Sequence, residues 1–292
     1  MFVYFKDGKG TTPEARVRRL QLVSSNLDLV PPRPDVLLDN LPPYDGTKFQ
    51  RTRTDLRLDR ARDLFLKACP NGFGGEVYNA PNGERVYKSV AHERYAAAAS
   101  SLPAIAKQAD AATIRDALRH VYAGPKGGDI EGLNLMHPRF EAPHYFAALD
   151  DGGFARRFLS AALAFISSPD RPNFERYASA VEEMQWVEGK GGTGLWPLFS
   201  WLPFVADPAN HLVVRPSIVR EFASILPFEL RLDSALDYES YRRVLTMTAA
   251  LKAAIENSEV NLARRPLDMI DLQSFMWVVL RLFEPGALEK GG

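Results

Sequence analysis

At 292 residues and 32.6 kDa, with 46% apolar and 25% charged side chains, the chain can bury roughly 70–75% of its unfolded surface, which excludes a disordered polymer. Its 36 basic residues balance 36 acidic ones, so no global field draws it to nucleic acid or acidic lipid, and any such binding has to be local. The lone cysteine, Cys69, excludes an internal disulfide and a cysteine-rich zinc cluster. With no basic, apolar leader after Met1, it points to the cytoplasm.

In chain order, residues 1–30 read as a small β-containing module: a β-prone run over 1–5, turn residues from Lys6 to Gly10, then loose alternation through Val17, Leu20 and Leu22. Pro31, Pro32, Pro34, Pro42 and Pro43 make residues 31–50 a proline-rich linker, because dense proline fixes φ and removes amide donors. From 51 to 292 the apolar period is helical. Ile114, Ala117, Leu118 and Val121 share one helix face, as do Phe154, Phe158, Ala161, Ala162, Phe165 and Ile166. The sets Phe174, Tyr177, Val181, Met184 and Tyr241, Val244, Leu245, Thr248, Leu251, Ile255 repeat the pattern. Asp110, Asn173 and Asp237 are placed to accept from the free amides of first turns. Only the β-branched run 211–214 reads as a strand in this part. The longest apolar run, residues 275–280, falls far short of the ~20 residues that span a bilayer, so no membrane partner is expected.

Residues 269–283 hold eleven apolar side chains in fifteen, apolar nearly all round, which predicts a central helix rather than a surface one. The expected fold is therefore mainly α: a multi-helix globular body around a buried C-terminal helix, with a small β-containing N-terminal segment. Pro266 stands where that helix begins, and Asp268 and Asp271 fit a capped first turn. Their alternative is a metal or catalytic pair. Gln273 and Ser274 inside the same helix need hydrogen-bond partners, since each would cost ~1–3 kcal/mol if buried unpaired.

The run Arg265, Pro266, Leu267, Asp268, Met269, Ile270, Asp271, Leu272, Gln273, Ser274, Phe275, Met276, Trp277 is one half of a longer signature. Its other half is Trp196, Pro197, Leu202, Pro203, Phe204, Pro208, His211, Arg215 and Pro216. Together they resemble a family of uncharacterised bacterial proteins, over residues 70–283 and most strongly in the last third. The resemblance implies a shared fold and, in many members, a small β-rich N-terminal module. It implies no activity.

Several motifs invite chemistry. Gly189, Gly191 and Gly194 satisfy GxGxxG around Lys190, but phosphate loops need a helix start directly after the glycines, and Leu195, Trp196, Pro197 do not read as one. Pro169 and Asp170, followed after an interval by Glu188, Gly189 and Lys190, match the spacing of a Mg²⁺-dependent PD-(D/E)xK nuclease. There Asp170 and Glu188 would hold the metal and Lys190 would assist the attacking water. The alternative is a helix cap at one end and a surface loop at the other. His137, Glu141 and His144 are candidate metal ligands, although Pro138 and Pro143 oppose the regular helix that would align them. Four glycines in residues 124–132, with Lys126, Asp129 and Glu131, mark a mobile connection. Cys69 has no local activating partner.

Basic features are local. Residues 48–67 carry Lys48, Arg51, Arg53, Arg57, Arg60, Arg62 and Lys67 against Asp55, Asp59 and Asp63, either a salt-bridged solvent face or a phosphate-contacting strip. Arg215 precedes Pro216 and Ser217, and Arg264 with Arg265 precedes the last helix. Two helix starts led by arginine make an anion site if they converge and structural salt bridges if they do not. Trp196, Phe199, Trp201 and Phe204 crowd four rings into residues 196–204, a core segment or, if exposed, a surface for a protein partner or a platform on which bases stack. The expected function is a non-enzymatic binding module for nucleic acid or a protein partner, without a cofactor. The alternatives are the Mg²⁺-dependent nuclease and a structural subunit of an assembly.

Overall fold

A computed structural model describes residues 53–81, 83–123, 135–136, 141–184, 194–225, 230, 232, 235–257 and 265–281, all within one unit, Gln50–Gly292. The β-containing module over 1–30 and the linker over 31–50 lie outside the described residues. The body is mainly helical, and the described residues contain no strand. In order the helices are α1 (Arg53–Ala68), α2 (Glu76–Asn79), α3 (Glu84–Ala98), α4 (Leu102–Gln108), α5 (Ala111–Tyr122) and α6 (Glu141–Ala148). They continue with α7 (Gly152–Ser167), α8 (Arg171–Glu182), α9 (Leu195–Ala206), α10 (Pro216–Ile225), α11 (Tyr238–Glu256) and α12 (Met269–Arg281).

The apolar stripes of α5, α7, α8 and α11 face the core as their spacing requires: Ile114, Leu118, Val121, Phe158, Phe165, Phe174, Tyr177, Val181, Val244 and Leu251 are all buried. The body has two centres. Helix α12 is packed by α1, α3, α10 and α11, while α9 is packed by α3, α6, α7 and α8. Helix α3 touches both and joins them. Every residue of α9 from Trp196 to Val205 is buried. Trp201 meets Tyr122 and Tyr145 edge to face, with ring centroids 5.3 and 5.4 Å apart, and Phe199 meets Phe174 and Tyr177 at 4.6 Å. Such pairs add ~0.5–1.5 kcal/mol beyond area burial.

Four local expectations are corrected. Asp110 and Asp237 do cap α5 and α11, but the cap of α8 is Asp170, which accepts from the Asn173 amide at 3.0 Å. Asn173 is therefore inside the helix. Pro143 does not prevent α6, because it falls in the first turn, where its missing N–H would have had no helical partner. For the same reason Pro197 is tolerated in α9, which starts directly after Gly194. Residues 211–214 form no ladder. They are buried, and the Val214 amide donates to Ser200 Oγ at 2.8 Å while Ser200 Oγ donates to the Trp196 carbonyl at 2.6 Å. A buried β-branched run looks alike in sequence whether a sheet or a side chain satisfies its amides.

The chain between α1 and α3 doubles back tightly. Asn71 and Gly72 take φ of 65° and 62°, a region open to glycine and tolerated by asparagine. A Cβ on Gly75 would stand 2.0 Å from the Pro70 carbonyl oxygen, and one on Gly83 2.3 Å from that of Tyr78. These close approaches carry Tyr78 and α3 against α12.

Candidate functional site

The first turn of α12 is built by reciprocal capping. The Asp271 amide donates to Asp268 Oδ1 and the Asp268 amide to Asp271 Oδ2, both at 3.1 Å. Helix α12 thus begins at Met269, three residues beyond Pro266. Asp271 is wholly buried, and a bare carboxylate there would cost several kcal/mol. It is compensated on every side. Arg265 grips it with two bonds of 2.6 and 2.8 Å, Arg85 Nη1 donates to Oδ1 at 2.8 Å, and the Tyr78 hydroxyl donates to the same oxygen at 2.8 Å. Arg85 also binds Asp268 through 2.7 and 3.0 Å contacts. Burial pushes Asp268 upward, but the Arg85 hydrogen bond and charge outweigh it and hold the carboxyl below its ordinary range. The two aspartates are a cap and a double arginine clamp.

One turn along α12, Ser274 Oγ accepts from Lys88 Nζ at 2.7 Å, and Lys88 also binds Glu84 Oε2 at 2.5 Å. The Tyr87 hydroxyl donates to the same Glu84 oxygen at 3.0 Å. Lys88 is buried, and desolvation lowers its ammonium's pKa against the opposing pull of Glu84. The expected partner for Ser274 is therefore present, whereas Gln273 Oε1 is buried with no hydrogen-bond donor among the described residues. Sequence reasoning missed Tyr78, Glu84, Arg85 and Lys88. Glu84 and Lys88 have the i, i+4 spacing of a surface pair, and nothing local says that this face of α3 meets a helix some 180 residues later.

Arg265 is thus spent on Asp271, and Arg264 lies outside the described residues. Arg215 does lead into α10, with Ser217 exposed in its first turn, but its guanidinium lies over the Trp277 ring, 5.7 Å from the centroid. Trp277 is six residues past Asp271, about 9 Å along α12. Arg215 and Arg265 therefore address different levels of the same helix, and no shared anion site is formed by this pair.

Asp170 is an exposed cap. Besides the Asn173 amide, it accepts from Ser168 Oγ at 2.9 Å, and these bonds hold its carboxyl below the usual range. Glu188 and Lys190 lie outside the described residues, as do Gly189, Gly191, His137, Arg51 and the loop 124–132. No cluster of three or more metal-ligating side chains occurs among the described residues. Burial, reinforced by Glu84, pushes the Cys69 thiol up to about 11, away from nucleophilic use. The rings of Trp196, Phe199, Trp201 and Phe204 are fully buried in this chain, so the protein-partner surface considered there is corrected to core.

What remains is α1. Leu58, Ala61, Leu64 and Phe65 are its buried face. Arg53, Arg57, Arg60 and Lys67 follow at intervals of four, three and seven, the same stripe in which the buried Leu64 stands. Asp55, Asp59 and Asp63, at intervals of four, occupy another flank roughly a third of a turn away. Arg62 stands beside the acidic row and pairs with Asp59. Among the described residues Lys67 is exposed, and neither it nor Arg60 enters an ion pair, while the buried Nε of Arg60 has no hydrogen-bond acceptor. The side chains of Arg53 and Arg57 lie outside the described part, and their backbone is helical. Asp63 stands three residues after Arg60 and four before Lys67, the spacing of neighbours on a helix surface.

No family model, curated protein or solved structure matches the chain.

Proposed function

We propose that the chain is a non-enzymatic cytoplasmic binding module whose partner is nucleic acid, held by the basic flank of α1. The observation that carries this reading is the local basic excess of residues 48–67, seven basic against three acidic side chains, within which Lys67 is exposed and outside any ion pair among the described residues. Like charges three and four residues apart cost roughly 0.2–0.5 kcal/mol per pair in a free helix, and a line of phosphates removes that cost. A protein partner has less support. Stable protein interfaces have an apolar centre, and Val77 alone among the described large apolar side chains is exposed, at 53%.

Fluorescence anisotropy with the full chain and labelled DNA in 50 mM salt tests the reading. Binding is expected, weakening more than about tenfold at 200 mM. The combined variant Arg53→Glu, Arg57→Glu, Arg60→Glu loses binding with its helical circular dichroism intact. Absence of binding at 50 mM salt overturns the proposal. So does Mg²⁺- or Mn²⁺-dependent cleavage that Glu188→Gln abolishes, because that outcome establishes the nuclease reading instead.

A further inference from the structure

Three polar atoms deep in the α9 centre have no hydrogen-bond partner among the described residues: the hydroxyls of Tyr145 and Tyr177 and the indole N–H of Trp201. All three side chains are fully buried, and they come from α6, α8 and α9. The Tyr145 ring stands edge to face with Trp201 and with Phe158, centroids 5.4 Å apart in both pairs. Phe158 is again 5.4 Å from Tyr177. The Tyr145 hydroxyl senses both neighbours. Burial raises its pKa, Tyr177 adds to the rise and the Trp201 N–H opposes it, although none of the three bonds to another. Elsewhere the core satisfies such groups: Tyr78 bonds to Asp271, Tyr122 to the Met136 backbone and Tyr241 to His211.

We infer that this place binds one internal water, which ties α6, α8 and α9 together. The three groups bring three donor hydrogens, because an indole nitrogen only donates, and two acceptor oxygens. Direct bonding among them makes two bonds at most, since a pair of hydroxyls shares one hydrogen at a time. The third hydrogen is left over. Phe158, Phe165 and Phe199 pack on Tyr177 and supply no acceptor. A water oxygen completes the set: it accepts from Trp201 and from one tyrosine and donates to the other. Those are three bonds, the usual number for a buried water, and polar lining of this kind is what retains one where an apolar cavity stays dry.

A high-resolution crystal structure of the full chain tests this. Density for a water is expected within about 2.7–3.2 Å of Tyr145 Oη, Tyr177 Oη and Trp201 Nε1. Absence of density there, or side chains that bond only to one another, overturns the inference. Tyr145→Phe and Tyr177→Phe give a second readout, in which the sign of the change decides. Each variant removes one oxygen and keeps the ring. A hydroxyl held by water is a lost bond, so both thermal midpoints should fall by about 2–4 °C. A hydroxyl with no partner is better removed than kept. An unchanged or raised midpoint in either variant therefore overturns the bridge.

Discussion

At Asp271 a large desolvation cost is set against four charged or polar partners. Its carboxylate is buried, and the price of desolvation is met by Arg85, Arg265, Tyr78 and the Asp268 amide. Asp271→Ala would strand the Arg265 guanidinium and leave Arg85 with Asp268 alone, and removing one partner of a buried ionic group costs about 3–5 kcal/mol. Urea denaturation should show a loss of that size. A loss below about 1 kcal/mol would mean the clamp is solvated in solution. His211 gives a pH signature. It is buried, bonded through Nδ1 to the Tyr241 hydroxyl at 2.8 Å, and burial lowers its pKa from the ordinary 6.5 despite the opposing charge of Asp207. Below pH ~6.5 the unfolded chain takes up a proton that the folded imidazole refuses, so stability falls as pH falls until the lowered folded pKa is reached. Urea midpoints should decline from pH 7.5 to 5.5, and His211→Phe should flatten that decline. An equal slope in the variant would assign it to other histidines.

At the scale of elements, the Asp170 cap separates structural from catalytic roles. Asp170→Ala should destabilise the protein by about 1 kcal/mol, as loss of an N-cap does, with DNA affinity unchanged. A fall in affinity with no fall in stability would place Asp170 in the functional surface. Helix α9 is packed from all sides, so Trp201→Ala should cost about 3–5 kcal/mol, measurable as a lowered thermal midpoint. These elements differ in how legible they were in sequence. The faces of α5, α7, α8 and α11 follow from a period that each helix carries within itself, and α12 from its all-round apolarity. Helix α6 and the start of α9 were hidden because proline reads as a breaker unless its position in the first turn is known. The clamp was half visible, as Asp268 and Asp271. Its other half, Tyr78, Arg85 and Lys88, is set by packing between distant segments, which no local pattern records. In α1 the excess of arginine was plain, while the burial of Leu58, Ala61, Leu64 and Phe65 became known only with the helix in place.

For the whole molecule, the sharing of α3 between the two centres argues against independent halves. Tryptophan fluorescence, with Trp196 and Trp201 in one centre and Trp277 in the other, should trace the same urea transition as far-UV circular dichroism. Separated transitions would show that the centres melt one at a time.

The clamp also bears on how the chain is made. Arg85 and Lys88 leave the ribosome well before Asp268, Asp271 and Ser274 exist, so for some 180 residues of translation those partners are missing and α3 lacks its contact with α12. Closure of the body waits for the last of the described helices. Nascent chains stalled before residue 265 should therefore stay protease-sensitive, and those released after 281 should resist.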